Sequence, residues 1–335
     1  MRGRVREGDF MSLVDLIKRP GVREAFERLA TAERTPAHMG SCPILVPDGR
    51  GPHGLTGTAF DFVARAQIIR DLKRPGTKFF EGTTTASRIE DHIEMVPLHP
   101  EHEERIRDGI RSAKHEAVEY AAGSGGGIRR LVEQSQYYAL AERAYRGNRI
   151  PDAEFRPIEA VSNELLRLLE LFDPGSRYAS CTLCILNPEF VASRWVGGAD
   201  ADFVVDGTLV DLKTTANHAV TVDMLRQMAG YAALQTMGGI KTDDGPHATP
   251  FERVELYFAR YATTATWAIA DLFPKDGFEQ FCDVVRGIVD ADRKQFDEMM
   301  ERIARRQAED AEQKKLARAK ARKKRKTKTT SRTKQ

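Results

Sequence analysis

Two runs rich in Val, Phe, Leu and Thr flank Asp206-Gly207, a dipeptide that favours a two-residue hairpin turn when strands flank it. Counting outward from the turn sets the register. Val205 faces Thr208, Val204 faces Leu209, Phe203 faces Val210, Asp202 faces Asp211 and Asp200 faces Lys213. Successive side chains of a strand point to opposite faces. Asp200, Asp202, Val204, Leu209, Asp211 and Lys213 therefore share one face, and Ala201, Phe203, Val205, Val210 and Leu212 share the other, which is apolar and requires burial.

Elsewhere the spacing is mostly helical. Ser12 to Ala32 sets Leu13, Leu16, Ile17, Val22, Phe26 and Leu29 at helical intervals interrupted at Pro20-Gly21, which predicts two short amphipathic helices. Thr35 to Gly57 carries Pro36, Pro43, Pro47, Pro52 and several glycines, and predicts loop. A helix is expected from Gly57 to Leu72, with Phe60, Ala64 and Ile68 on one face. Three more follow over Glu101–Ala122, Gly127–Arg146 and Val161–Phe172, the first two joined by Gly123-Ser-Gly-Gly-Gly127. Cys181-Thr-Leu-Cys184-Ile-Leu186 reads as a buried strand. In Thr221 to Met237, Val222, Leu225, Ala229 and Ala232 form an apolar helical stripe, with Asp223, Gln227 and Tyr231 along a neighbouring face. Arg253–Arg260 and Thr266–Ala270 predict strands joined through Tyr261–Ala265, and helix is expected from Phe278 onward.

Composition narrows the class. A chain of 335 residues with 41% apolar content can bury a core. No apolar run approaches the ~18 residues of a membrane span, and Met1 to Arg19 lacks the apolar stretch of a secretory leader, so a cytoplasmic protein is expected. The net charge of +3 conceals an asymmetry. Twelve of the 52 lysines and arginines lie in Lys314–Gln335, which has no acid, leaving 40 against 49 acidic residues in the rest. That tail shows no apolar periodicity past Leu316, is expected to be disordered, and suits non-specific attraction to phosphates. Cys181 and Cys184 have the spacing of a metal or redox pair, but only four cysteines occur, as suits a reducing compartment.

The hairpin carries the candidate chemistry. Like charges opposed on a ladder repel across ~4.5–5.5 Å, so the Asp202–Asp211 pairing asks for a cation between the two. Mg²⁺ (or Mn²⁺) takes oxygen ligands, is held by one or two carboxylates, and keeps waters for chemistry on phosphates. Lys213 would lie beside such an ion, where it could position or help deprotonate an attacking water and stabilise charge growing on a phosphate. A Ca²⁺ loop built on Asp200, Asp202 and Asp206-Gly207 is excluded, because Phe203, Val204 and Val205 stand where its ligands and turn residues belong.

Asp202 followed by Asp211-Leu212-Lys213 resembles the metal-and-lysine signature of the PD-(D/E)XK nuclease superfamily. Lys213-Thr214 and Gln227-Met-Ala-Gly-Tyr231 resemble the Lys-Thr and Gln-x-x-x-Tyr motifs of its RecB-like exonuclease branch. The resemblance spans residues 180–260, with an echo near residue 57. It implies an α/β fold with a restriction-endonuclease-like αβββαβ core at 57–275 and a helical insertion at 75–175. N-terminal helices and loop over 1–56 precede it, and a C-terminal helix at 276–313 and the basic tail at 314–335 follow. It also implies Mg²⁺-dependent hydrolysis of phosphodiester bonds. In that scheme Asp202, Asp211 and the Leu212 carbonyl hold the ion, Lys213 aims the water, and Gln227 and Tyr231 support the substrate or the metal carboxylates. The branch has Gly-x-x-Asp at its first acidic position, which Gly197-Gly198-Ala199-Asp200 matches. The hairpin register favours Asp202 as the ligand, with Asp200 an outer partner of Lys213. Superfamily members carry an acid or a histidine near the metal on their first core helix, and Asp61 falls there. Asp61 also suits a first-turn carboxylate paired with Arg65 four residues on. DNA is the expected partner, and the residues do not discriminate it from RNA. The chain has no Gly-x-x-x-x-Gly-Lys-Ser/Thr loop, so unwinding would come from a helicase or other DNA-processing partner. The competing reading is a nucleic-acid-binding or assembly module of the same fold without catalysis.

Overall fold

Asp206 and Gly207 both adopt positive φ, 43° and 80°, as the turn that matches the twist of two antiparallel strands requires. Aspartate tolerates this conformation better than most residues, and here it has a second task. Its carboxylate accepts the Leu183 N–H at 2.9 Å and the Thr182 hydroxyl at 2.8 Å, while its own N–H donates to the Leu183 carbonyl at 3.1 Å. The residue that bends the hairpin therefore also stitches it to the next strand.

The computed structural model describes residues 13–31, 42–49, 53–83, 89–91, 98–124, 127–145, 156–196, 198–199 and 201–332, without the side chains of 53, 100 and 310–332. Its strands are β1 (Lys78–Glu81), β2 (Leu183–Leu186), β3 (Phe203–Val205), β4 (Thr208–Lys213), β5 (Arg253–Phe258) and β6 (Thr263–Ala268). They form one six-stranded sheet in the order β1-β2-β3-β4-β5-β6, with β1–β2 and β4–β5 parallel and the other neighbours antiparallel. The helices are α1 (Leu13–Leu16), α2 (Pro20–Leu29), α3 (His53–Leu72), α4 (Pro100–Ala121), α5 (Ile128–Tyr145), α6 (Glu159–Leu171), α7 (Pro174–Arg177), α8 (Val222–Thr236), α9 (Ile269–Leu272) and α10 (Gly277–Arg332). The fold is mixed α/β.

Two parallel pairs demand two crossovers. One is α8, between β4 and β5; Thr221 caps it by accepting the Met224 N–H at 3.2 Å. The other is the layer α4 to α6, which carries the chain from β1 back to β2. From sequence this layer is a helical insertion; Lys78-Phe-Phe-Glu81, inside the span assigned to it, is an edge strand paired with β2. The layer packs on α3, through Ile106 and Ile110 of α4, Leu131 and Leu140 of α5, and Leu165 and Leu168 of α6, all buried. Phe62 of α3 stacks on Tyr138 of α5 with ring centroids 4.0 Å apart.

The same apolar cluster takes in Phe203, Val205 and Val210, the face of the hairpin expected to be buried. Val204, Leu209, Val254 and Leu256 on the opposite face are buried too, so the centre of the sheet is covered on both sides. Strand β6 begins at Thr263, three residues earlier than expected. The short 3-10 turn Ala259–Tyr261 and Ala262 at φ 50° reverse the chain at once. Residues up to Val285 form one compact unit and 286–335 a second. From sequence, 314–335 has no expected regular structure, yet the backbone is helical to Arg332. Lys, Arg and Ala readily propagate a helix nucleated upstream.

Candidate active site

The hairpin register stands as counted for three pairs, Val205–Thr208, Val204–Leu209 and Phe203–Val210, and the ladder then stops. Asp202 lies just outside β3, and Asp200 and Gly197 fall outside the described residues. In place of a ladder partner, Asp202 offers its carboxylate to the strand: Oδ2 accepts the Leu212 N–H at 2.5 Å. The amide and carbonyl of one strand residue point to the same side. The Leu212 carbonyl therefore also faces the Asp202 side, away from β5.

Asp211 and Lys213 stand two residues apart on β4 and share a face. Lys213 Nζ comes to 2.5 Å from Asp211 Oδ2, so the buried carboxylate is ion-paired within its own strand. From α8, Gln227 Oε1 lies 3.5 Å from Lys213 Nζ, and its amide nitrogen donates to the Tyr231 hydroxyl at 3.3 Å. Tyr231 is buried and stacks on Phe190 with centroids 5.7 Å apart. Asp211, Lys213, Gln227 and Tyr231 therefore form one connected line from the sheet into the helix. Asp61 reaches the cluster from α3 and is paired to Arg65, whose Nε lies 3.1 Å from Oδ1 while a second guanidinium nitrogen meets Oδ2.

The backbone beyond Lys213 is fixed by residues that sequence reasoning missed. Arg260, 2% exposed just after β5, donates to the Thr214 carbonyl, to the Val46 carbonyl at 3.1 Å and to Glu164 of α6. The second oxygen of Glu164 accepts the Gly49 N–H at 3.0 Å. The Arg260 carbonyl in turn accepts the amides of Leu45 and Val46 at 2.9 and 3.2 Å. The Tyr261 hydroxyl donates to the Ala216 carbonyl. At the start of α3, a Cβ on Gly57 would come within 3.2 Å of the Thr214 hydroxyl. Nothing local marks Arg260 or Glu164, since each acquires meaning only from partners distant in the chain.

Charge crowding shows in the acid–base behaviour of the cluster. Burial, then the Asp61 charge, then the Asp211 charge push the Asp202 carboxyl well above the usual carboxylate range. Burial pulls the Lys213 ammonium down, but the adjacent Asp211 charge and contact and then the Asp202 charge outweigh it, so Lys213 is held protonated. Arg65 is raised likewise, the Asp61 and Asp202 charges outweighing its burial. The Asp202 shift has a stability consequence. A carboxyl raised in the folded state stabilises the fold fully below the ordinary aspartate value of ~3.9 and loses that contribution as pH rises through the raised value. Asp202→Asn removes the loss. With metal chelated, its unfolding midpoint at neutral pH should exceed the parent's by the equivalent of ~0.5–2 kcal/mol, and the gap should close as pH falls below ~4. A neutral-pH midpoint at or below the parent's would show that this carboxylate is no burden to the fold.

The donor set fits a hard divalent cation. Asp202, Asp211 and the Leu212 carbonyl are all oxygen donors, and burial with the Asp61 and Asp211 charges crowds the Asp202 carboxyl. Among the described residues, no group of three or more His, Cys, Asp or Glu side chains is gathered to hold a metal; the carboxylates available are a pair. Cys184 lies buried in β2, where burial first and Cys181 second push its thiol up, and none of the four cysteines is joined in a disulfide. Among the described residues, no helix is long and apolar enough to cross a membrane. Comparisons with protein-family models, with curated proteins and with solved structures returned no match to this chain.

Proposed function

We propose that this chain is a metal-dependent nuclease that hydrolyses phosphodiester bonds in DNA, a RecB-like member of the PD-(D/E)XK superfamily. The order α3, β2–β4, α8, β5 supports that reading, as does its resemblance to the family's Asp, Asp-x-Lys and Gln-x-x-x-Tyr residues. The observation that carries it is the buried, ion-paired Asp211–Lys213 couple, with Asp202 folded onto the intervening amide of Leu212. Beside that couple the Asp202 carboxyl is crowded by burial and by the Asp61 and Asp211 charges, and a cation there would relieve the crowding.

Asp202, Asp211 and the Leu212 carbonyl would hold Mg²⁺ or Mn²⁺, and the ion would supply Lewis acidity at the scissile phosphate and lower the pKa of a bound water. Lys213 acts from the same strand face. Held as an ammonium, it donates hydrogen bonds, so its part is to orient the attacking water and stabilise charge on the phosphate rather than to take up a proton. Gln227 limits the swing of Lys213 and is itself anchored by Tyr231. Tyr231 stacks on Phe190 in the core, and that rigidity keeps the amine near one place.

The test is incubation of the protein with linear and circular, single- and double-stranded DNA in Mg²⁺ or Mn²⁺, against the same mixtures in EDTA. Cleavage confined to the metal-containing samples is expected, with linear or single-stranded DNA degraded first. Binding without cleavage on every substrate would replace the nuclease by a nucleic-acid-binding module, a reading to which the internally neutralised Asp211–Lys213 and Asp61–Arg65 pairs lend support.

A further inference from the structure

Helix α10 changes character along its length. Over 286–313 the sequence holds six basic and eight acidic residues, and opposite charges can meet within the helix, as Arg293 and Asp297 do one turn apart. From Lys314 to Arg332 the backbone stays helical while the sequence supplies eleven lysines and arginines and no acid. Lys314, Arg318, Arg322 and Lys326 follow one another at four-residue intervals, and a second run at the same interval ends at Arg332. Like charges one turn apart destabilise a helix. No residue of this stretch can neutralise another, so relief has to come from an anion outside it.

The spacing of the charges identifies the anion. Nineteen residues at ~1.5 Å each span ~28 Å, so positive charges recur about every 2.6 Å along the axis, against one phosphate per ~1.7 Å of duplex DNA. A line of charge this dense complements a polymer of phosphates rather than a single small anion. A lipid surface fits less well, because no large apolar residue follows Leu316 to be buried at an interface. We propose that residues 314–332 are a helix that docks along the phosphate backbone of duplex DNA without reading its sequence. The choice of DNA over RNA rests on the nuclease reading, whereas the docking itself requires no catalysis. Bound phosphates neutralise the like charges that oppose the helix, so the docked stretch is the better ordered.

A full-length variant with all eleven replaced by glutamine, itself a good helix former, tests the assignment. Binding of parent and variant to a short fluorescent DNA duplex is measured across salt concentrations in EDTA, so that cleavage plays no part. About half of the eleven can face the duplex at once. At ~0.9 per phosphate the parent's plot of log affinity against log salt should be steeper by ~4–5, an extra loss of roughly 500-fold between ~50 and ~200 mM salt. Two duplexes of unrelated sequence should bind within about threefold of each other. Amides of 314–332 should exchange with solvent at least about tenfold more slowly once duplex is added. Equal salt slopes for parent and variant, unchanged exchange, or tighter binding to duplex RNA or to phosphatidylserine vesicles than to duplex DNA overturns the proposal. A slope difference without any cleavage in Mg²⁺ removes the nuclease and leaves the docking helix; cleavage with equal slopes does the reverse. Should the glutamine variant fail to fold, the exchange result on the unaltered chain decides alone.

Discussion

Lys213→Ala should cleave DNA at least ~10²-fold more slowly than the parent, the scale of losing one preorganised donor at developing charge, while still binding the metal ion. The two parts of that result come from the same contact. Nζ sits 2.5 Å from Asp211 Oδ2, so the ammonium occupies one of the oxygens proposed for the ion. Removing it frees the oxygen, and Mn²⁺ affinity should hold or rise. What is lost is the charge that orients water and meets the phosphate. The metal-free variant leaves Asp211 buried without its cation, so its thermal midpoint should fall and then recover on addition of Mn²⁺. Parallel measurements of cleavage rate, Mn²⁺ affinity and midpoint separate these effects. Undiminished cleavage would remove Lys213 from the mechanism, and lost metal binding would make it part of the ion's cradle.

Arg260→Met should be strongly destabilising. Arg260 and Glu164 are 3% and 2% exposed at the side chain and paired to each other. Removing one partner of a buried pair strands the other, at a cost of ~3–5 kcal/mol. Against a total stability of ~5–15 kcal/mol, and with ~2–4 °C per kcal/mol for a unit of this size, the midpoint should drop by roughly 10 °C. Arg260→Met combined with Glu164→Leu should recover much of that loss, because no buried charge remains. The double variant should still cleave poorly, since the carbonyls of Thr214 and Val46 have lost the donor that ties the end of β4 to the loop before α3. Single and double variants of equal stability would show that Glu164 is not stranded when Arg260 is gone.

The hairpin was legible in the sequence because its determinants are local. Two residues that accept positive φ, flanked by runs of strand-forming residues, admit one register, and three of the counted pairs are present. Helix α8 was legible for the same reason, with Thr221 at its start and Gln227 and Tyr231 one turn apart. Strand β1 was not, because four residues carry almost no periodicity and their partner strand β2 lies beyond a whole helical layer. The Asp202–Asp211 ladder pair also extended further in the count than in the fold. A side-chain acceptor for the Leu212 amide competes with continued pairing, and at a strand end the side chain can win.

Sequence alone determined where the hairpin bends and which residues share the face with Asp211 and Lys213, since backbone alternation and turn stereochemistry act between near neighbours, whereas burial of both hairpin faces came from the layers packed on the sheet. Only the tertiary structure decided that Asp202 turns onto the Leu212 amide, that Asp61 is claimed by Arg65, and that Arg260 and Glu164 clamp the end of β4. Those outcomes depend on which oxygens and amides from separate segments are buried together, and on the requirement that each buried charge find a partner.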